Sequence, residues 1–140
     1  MRSNSGKPLG IYVHIPFCKS KCEYCDFYSL GGSRDRRTTD QYLQALADHI
    51  RETGRLAPDY TVDTVYFGGG TPSFFGAENL EKILDELQKR FHFGADPEIT
   101  LEANPDSVTP QGLTRLRRAG FNRISIGVQS DQDDMLKRLG

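Results

Sequence analysis

Several features that restrict function are missing from this sequence of 140 residues. Tryptophan is absent, so a flat ligand would have to stack on Tyr or Phe. The formal net charge is -1 and no block of like charge dominates, which argues against nucleic acid or an acidic membrane surface as a partner. No apolar stretch reaches the roughly 18 residues that cross a bilayer, and the chain start lacks the apolar core of a signal peptide. We therefore expect a cytoplasmic protein with no transmembrane segment.

Cysteine is also scarce, and its distribution is informative. The chain has 3 cysteines, and all of them lie between positions 18 and 25. An odd number cannot pair fully as disulfides, and clustered thiols in a reducing compartment more often bind metal or do chemistry. Hydrophobic residues make up 36% and charged residues 26% of the chain, which is typical of a globular protein of one domain.

Strand and helix patterns alternate along the chain. The strand patterns cover residues 10–16, 62–67, 98–102 and 122–127. Each is followed by apolar residues at helical spacing, and Thr38–Gln41 matches a capping box at the start of the first helix. Thr109 and Pro110 mark the start of the third helix, Gly120 marks its end, and Asp131 opens the fourth.

This alternation predicts an α/β fold with four parallel strand-helix units and right-handed crossovers. We predict a tail over residues 1–9 and a core domain over residues 10–140. Because a four-stranded sheet leaves two open edges, we expect the domain to continue beyond residue 140. Ligands of parallel sheets lie outside the carboxyl ends of the strands, and the unusual residues of this chain follow the strands at that edge.

The cysteines follow the first strand with the spacing C-x3-C-x2-C, as Cys18, Cys22 and Cys25. Thiolates are the usual ligands of iron-sulfur clusters, and three ligands leave one iron open for an exogenous group such as S-adenosylmethionine (SAM). A zinc site with His14 as fourth ligand and a set of buried structural thiols are the alternatives. Both are disfavoured, because His14 lies in a strand close to Cys18 and the loop is polar.

Four further features lie at the same edge. The glycines of Gly68–Gly70 permit close backbone approach to a ligand, or form only a tight turn. Glu102 ends the third strand, where its carboxylate would accept hydrogen bonds from a ribose or an amine, or face solvent beside a turn. The side-chain amide of Gln129 either lies at this edge as a donor and acceptor for a ligand, or belongs to an ordinary residue at the start of a helix. Tyr12 is a SAM contact or a strand residue with a partnered hydroxyl.

Four segments together resemble the oxygen-independent coproporphyrinogen III oxidase family of radical SAM proteins: YVHIPFCKSKCEYCDF, YFGGGTPSFF, EITLEANPD and FNRISIGVQS. The resemblance covers residues 10–140 and implies the amino-terminal part of an incomplete (β/α)6 barrel, similar to a TIM barrel. It also implies that Cys18, Cys22 and Cys25 ligate a [4Fe-4S] cluster.

The same resemblance implies the SAM contacts. Family positions that contact the cluster-bound SAM correspond to Tyr12, Gly69 and Glu102. Those that contact a second SAM correspond to Tyr24, Gly70, Thr71 and Gln129. In the family, the reduced cluster cleaves SAM to methionine and a 5′-deoxyadenosyl radical, with an electron donor such as flavodoxin or ferredoxin.

One position departs from the oxidase pattern. The oxidase has another cysteine two residues after the third ligand, where this chain has Phe27. The ending Cys25-Asp26-Phe27 is similar to the HemW branch, whose members bind haem and pass it to respiratory proteins. The expected function is therefore that of a haem chaperone, with haem contacts mainly beyond this segment. The alternative is the oxidase, which converts coproporphyrinogen III to protoporphyrinogen IX by oxidative decarboxylation.

Overall fold

Four strands alternate with three helices in a computed structural model that describes residues 6–16, 36–105 and 108–126. The strands are β1 (Lys7–Ile15), β2 (Tyr60–Gly69), β3 (Phe93–Ala103) and β4 (Arg123–Ile126). The helices are α1 (Arg36–Arg55), α2 (Ala77–Arg90) and α3 (Pro110–Ala119), and a 3-10 helix covers Pro72–Phe75. All strand pairs are parallel, in the order β1-β2-β3-β4. The predicted α/β class is confirmed, whereas the helix predicted from Asp131 lies outside the described residues.

Helices α2 and α3 form where apolar spacing and capping residues predict them. The apolar side of α2 is buried through Leu80, Ile83, Leu84 and Leu87. At the start of α3, the Thr109 hydroxyl accepts the backbone N–H of Gly112 at 3.0 Å, with Pro110 as the first helical residue. Gly120 ends the helix with φ 129°, a backbone conformation that favours glycine.

The predicted start of α1 is wrong. The helix begins at Arg36, which places Thr38 inside the first turn rather than at the cap. A capping box is a local signal, and preceding residues that continue the helix override it. Ile50 is buried, and Leu43 and Leu46 pack against the core, as their spacing indicates. None of the helices within the described ranges has the length and apolarity to cross a bilayer.

The predicted starts of β1, β2 and β3 are too late, whereas β4 begins at Arg123, one residue after its predicted start. β1 begins at Lys7, and Lys7 pairs with Tyr60, so residues 7–9 of the predicted tail belong to the sheet. The register shifts between Leu9 and Gly10, and this bulge breaks the alternation from which strands are predicted. β3 begins at Phe93, ahead of Pro97, a residue that is rare inside strands. The division into a tail and a core domain stays a prediction.

The sheet has two different faces. The core lies between one face and the helices, and includes Val13, Ile15, Val65, Phe67 and Leu101. The opposite side, called here the open face, carries two rows of residues in register across the strands. The lower row is Tyr12, Tyr66, Thr100 and Arg123. The upper row, two residues further along each strand, contains the pairs His14–Gly68 and Glu102–Ser125.

Candidate functional site

A cavity of about 270 Å³ lies at the carboxyl edge of β2 and β3. It is lined by Gly69, Gly70, Thr71, Pro72, Glu102, Ala103, Asn104 and Ser125. The structure thus brings together four of the residues singled out from the sequence, which are Gly69, Gly70, Thr71 and Glu102. Polar groups that converge on a concave site at this edge are typical of a ligand site in a parallel sheet.

The carboxylate of Glu102 is held by two donors from the neighbouring strand. The Tyr66 hydroxyl donates to Oε2 at 2.8 Å, and the backbone N–H of Gly69 donates to Oε1 at 3.2 Å. Each oxygen keeps a further lone pair for a donor in the cavity. The half-buried carboxylate is therefore fixed in orientation and able to accept from a hydroxyl or an ammonium group.

Gly69 lies where no other residue fits. Its φ is 120°, and a Cβ built on it would lie 2.5 Å from the carbonyl oxygen of Ile15 and 2.9 Å from the Ile15 nitrogen. The next residue, Gly70, donates its N–H to that same carbonyl at 2.8 Å. Because the obstructing atoms belong to the backbone of Ile15, the close approach of β1 and β2 depends on the absence of a side chain at Gly69.

Gly68 has a different role, which the sequence does not reveal. A Cβ on this buried residue would lie 2.8 Å from the Tyr12 hydroxyl and 3.1 Å from Oε1 of Glu102. Because Gly68 has no side chain, the side chains of Tyr12 and Glu102 can both extend into the space next to it on the open face.

Tyr12 is close to the cavity but does not line it. Its side chain is 58% exposed, and its ring stacks on Tyr66 with centroids 6.0 Å apart and planes at 16°. Its hydroxyl lies 3.4 Å from Nδ1 of His14. Partial burial and the nearby Glu102 charge raise the pKa of the Tyr12 phenol, so the neutral form is present at pH 7.

Tyr66 is the main residue of the site that the sequence analysis missed. Its hydrogen bond to Glu102 raises the pKa of the Tyr66 phenol, burial raises it further, and a hydrogen bond with Ser125 opposes both effects. In the sequence, Tyr66 has the features of an ordinary aromatic residue in a strand. Only the register with β3 shows that it faces Glu102.

Ser73 is a second residue that sequence reasoning passed over. It is 6% exposed, and its Oγ accepts the backbone N–H of Asn104 at 3.1 Å. This bond ties the 3-10 helix after β2 to the loop after β3, so it fixes the two segments that form the cavity wall.

The remaining predicted site residues lie outside the described residues, namely Cys18, Cys22, Tyr24, Cys25 and Gln129. Their roles stay predictions. Within residues 6–16, 36–105 and 108–126, no three His, Cys, Asp or Glu side chains are grouped closely enough to hold a metal ion.

Curated relatives align with nearly the whole of this chain. The chain is 43% identical over 133 residues to the heme chaperone HemW of Escherichia coli (strain K12), and 41% identical over 139 residues to HemW of Mycobacterium tuberculosis. It is 39% identical over 133 residues to the oxygen-independent coproporphyrinogen III oxidase of Salmonella typhimurium. These alignments cover 95%, 96% and 95% of this chain but only 35%, 35% and 29% of the relatives. The chain thus spans about a third of their length.

A solved structure has the same arrangement of strands and helices. Coproporphyrinogen III oxidase (HemN) from Escherichia coli, a radical SAM enzyme, superposes with a TM-score of 0.78 at 34% identity, over 95% of this chain and 30% of that one. This match confirms the fold that the resemblance implied. The sequence profile of the Radical SAM superfamily matches residues 12–140, a range that includes all three cysteines and the cavity. The chain belongs to the radical SAM superfamily.

Proposed function

We propose that this chain is part of a HemW-like haem chaperone that binds a [4Fe-4S] cluster and SAM. The cluster ligands are Cys18, Cys22 and Cys25, whose C-x3-C-x2-C spacing leaves one iron open for SAM. Membership of the superfamily supports this assignment. When bound and reduced, the cluster supplies the electron for reductive cleavage of SAM.

The observation that carries the SAM assignment is the held carboxylate of Glu102. SAM combines ribose hydroxyls with an ammonium and a carboxylate, and a fixed acceptor suits either donor group. The backbone at Gly69 and Gly70 offers an approach without side chains, and Thr71 adds a hydroxyl at the cavity wall. The described residues therefore fit SAM, with Tyr12 beside them.

Two further residues complete the proposed SAM contacts. Tyr24 and Gln129 match family positions that contact a second SAM. In the sequence, Tyr24 follows the first predicted strand and Gln129 follows the fourth. We assign them to SAM on that resemblance alone.

Haem handling is supported by the HemW relatives at 43% and 41% identity and by Phe27, which stands where the oxidase has cysteine. The proposed partners are haem, a one-electron donor such as flavodoxin or ferredoxin, and haem-accepting respiratory proteins. The second candidate is the oxidase, favoured by the 39% identical Salmonella enzyme and by the HemN structure.

The cluster is tested by anaerobic reconstitution of the full chain with iron and sulfide. We expect about four irons per chain, a broad absorption band near 400 nm and an electron paramagnetic resonance signal after reduction. Cys22→Ala should lose iron, whereas Ser20→Ala, a change between the ligands, should retain it. Full iron binding by Cys22→Ala, or a colourless protein that binds zinc, would contradict the assignment.

Chaperone and oxidase are separated by a paired assay on the reconstituted full-length protein, because this chain spans about a third of its relatives' length and the haem contacts are proposed to lie mainly outside it. The chaperone predicts stoichiometric haem binding and transfer of haem to an apo-haemoprotein, with no carbon dioxide released from coproporphyrinogen III. Turnover of coproporphyrinogen III with SAM and reductant would instead establish the oxidase.

A further inference from the structure

We propose that Tyr66 is a positioning residue that orients the Glu102 carboxylate toward the ligand of the cavity. The inference rests on the proposed SAM site and deepens it. Tyr66 does not line the cavity, so it acts on the ligand only through Glu102.

The geometry assigns one donor to each carboxylate oxygen. Tyr66 holds Oε2 at 2.8 Å, whereas the backbone N–H of Gly69 holds Oε1 by a longer bond of 3.2 Å. The terminal torsion of a glutamate side chain is broad, so one bond leaves the carboxylate plane free to turn. With Tyr66 in place both oxygens are fixed, and their remaining lone pairs keep a constant direction.

Tyr66 is itself held from two sides. Its ring stacks on the ring of Tyr12 with centroids 6.0 Å apart, and the side chain of Ser125 lies near its hydroxyl. The residue next to it in the upper row is Gly68, which leaves room for the Glu102 carboxylate to lean toward Tyr12. The hydroxyl is therefore placed by packing before any ligand binds, which is what a positioning residue requires.

The hydroxyl also has the correct protonation state. Only a neutral phenol can donate to Oε2. A tyrosine is already neutral at pH 7 at its ordinary pKa, and the hydrogen bond to Glu102 raises the pKa of Tyr66 further.

The test compares SAM binding by isothermal titration calorimetry under anaerobic conditions, with the full chain carrying its reconstituted cluster. Tyr66→Phe keeps the ring and its stacking but removes the donor. We expect affinity to fall roughly ten- to 150-fold, the range that corresponds to a hydrogen bond to a charged group. Tyr60→Phe, a change at the opposite end of β2, is the matched control and should bind as the unmodified chain does.

A double-mutant cycle distinguishes positioning from a general structural effect. If Tyr66 acts through Glu102, Tyr66→Phe should change affinity by less than about twofold in the Glu102→Gln background. Iron content and the far-ultraviolet circular dichroism spectrum should be unchanged in all variants.

Two results overturn the role of Tyr66: unchanged affinity in Tyr66→Phe, or an equal loss in both backgrounds. Absence of SAM binding by the unmodified chain is a different failure. It overturns the proposed SAM site, and the role of Tyr66 with it.

Discussion

Replacing Gly69 by alanine should destabilise the protein far more than the same change at Gly76. Both glycines have positive φ, 120° at Gly69 and 101° at Gly76. Their surroundings differ. At Gly69 the added Cβ would lie 2.5 Å from the carbonyl oxygen of Ile15. At Gly76 the added Cβ would have open space around it, with Nδ2 of Asn79 as its nearest neighbour at 4.0 Å. The pair therefore separates the cost of the backbone conformation from the cost of the clash.

The expected magnitudes follow from these surroundings. An L residue at positive φ costs about 1–2 kcal/mol, and this term is common to both variants. At Gly69, inserting a methyl group against backbone adds about 1–3 kcal/mol, since the strands must move apart. That movement also stretches the 2.8 Å hydrogen bond from Gly70 to Ile15, worth about 1 kcal/mol. We expect losses of about 1–2 kcal/mol for Gly76→Ala and about 3–6 kcal/mol for Gly69→Ala.

Urea unfolding of the full chain, followed by far-ultraviolet circular dichroism, measures both losses. The corresponding shifts in Tm are about 3–4 °C per kcal/mol for a domain of this size. SAM affinity should fall in Gly69→Ala and stay unchanged in Gly76→Ala, because Gly69 donates to Glu102 and lines the cavity, whereas Gly76 does neither. Equal destabilisation by the two variants would refute the close approach of β1 and β2 as described.

Three further predictions concern the segments around the cavity. Thr109→Ala should lose about 1 kcal/mol in urea unfolding, because the cap of α3 loses its acceptor, while Thr109→Ser should lose little. Ser73→Ala should cost about 1–2 kcal/mol by the same measurement, since the Asn104 N–H loses a buried partner, and a neutral result would contradict that bond. Burial raises the pKa of Tyr42 to about 12, above its value of about 10 in the unfolded chain. The buried, neutral Tyr42 phenol therefore contributes its full stability below about pH 10, and this contribution is lost as the pH rises to about 12. Tyr42→Phe should flatten this decline when urea midpoints are measured across the same pH range.

The fold could be predicted from local signals wherever those signals are strong. Helix α3 has both a capping threonine and a terminal glycine, and its bounds agree with the prediction. The strand starts could not be predicted, because the bulge after Leu9 and the register shift between Val62 and Thr64 break the alternation. Those irregularities depend on pairing with a neighbouring strand, which a single segment does not encode.

From the sequence, the site could be predicted only as a group of residues that follow the carboxyl ends of several strands. Gly69, Gly70 and Glu102 are predicted because unusual residues at the ends of parallel strands share one edge, and Thr71 is predicted by the family resemblance. The structure brings all four to one cavity. Tyr66 and Ser73 could not be identified in this way, since tyrosine and serine are ordinary in a strand and a turn. Their importance comes from partners 36 and 31 residues away in the sequence.

The two rows of the open face explain how residues outside the cavity can affect its ligand. Glu102, in the upper row, lines the cavity, whereas Tyr12 and Tyr66 in the lower row stack on each other next to it. A change at Tyr66 therefore acts on the proposed ligand through Glu102, and the size of the effect depends on whether the donor or only ring area is lost. For this reason Tyr66→Phe should affect binding while preserving the fold, whereas removal of the ring should disturb Tyr12 and Glu102 together.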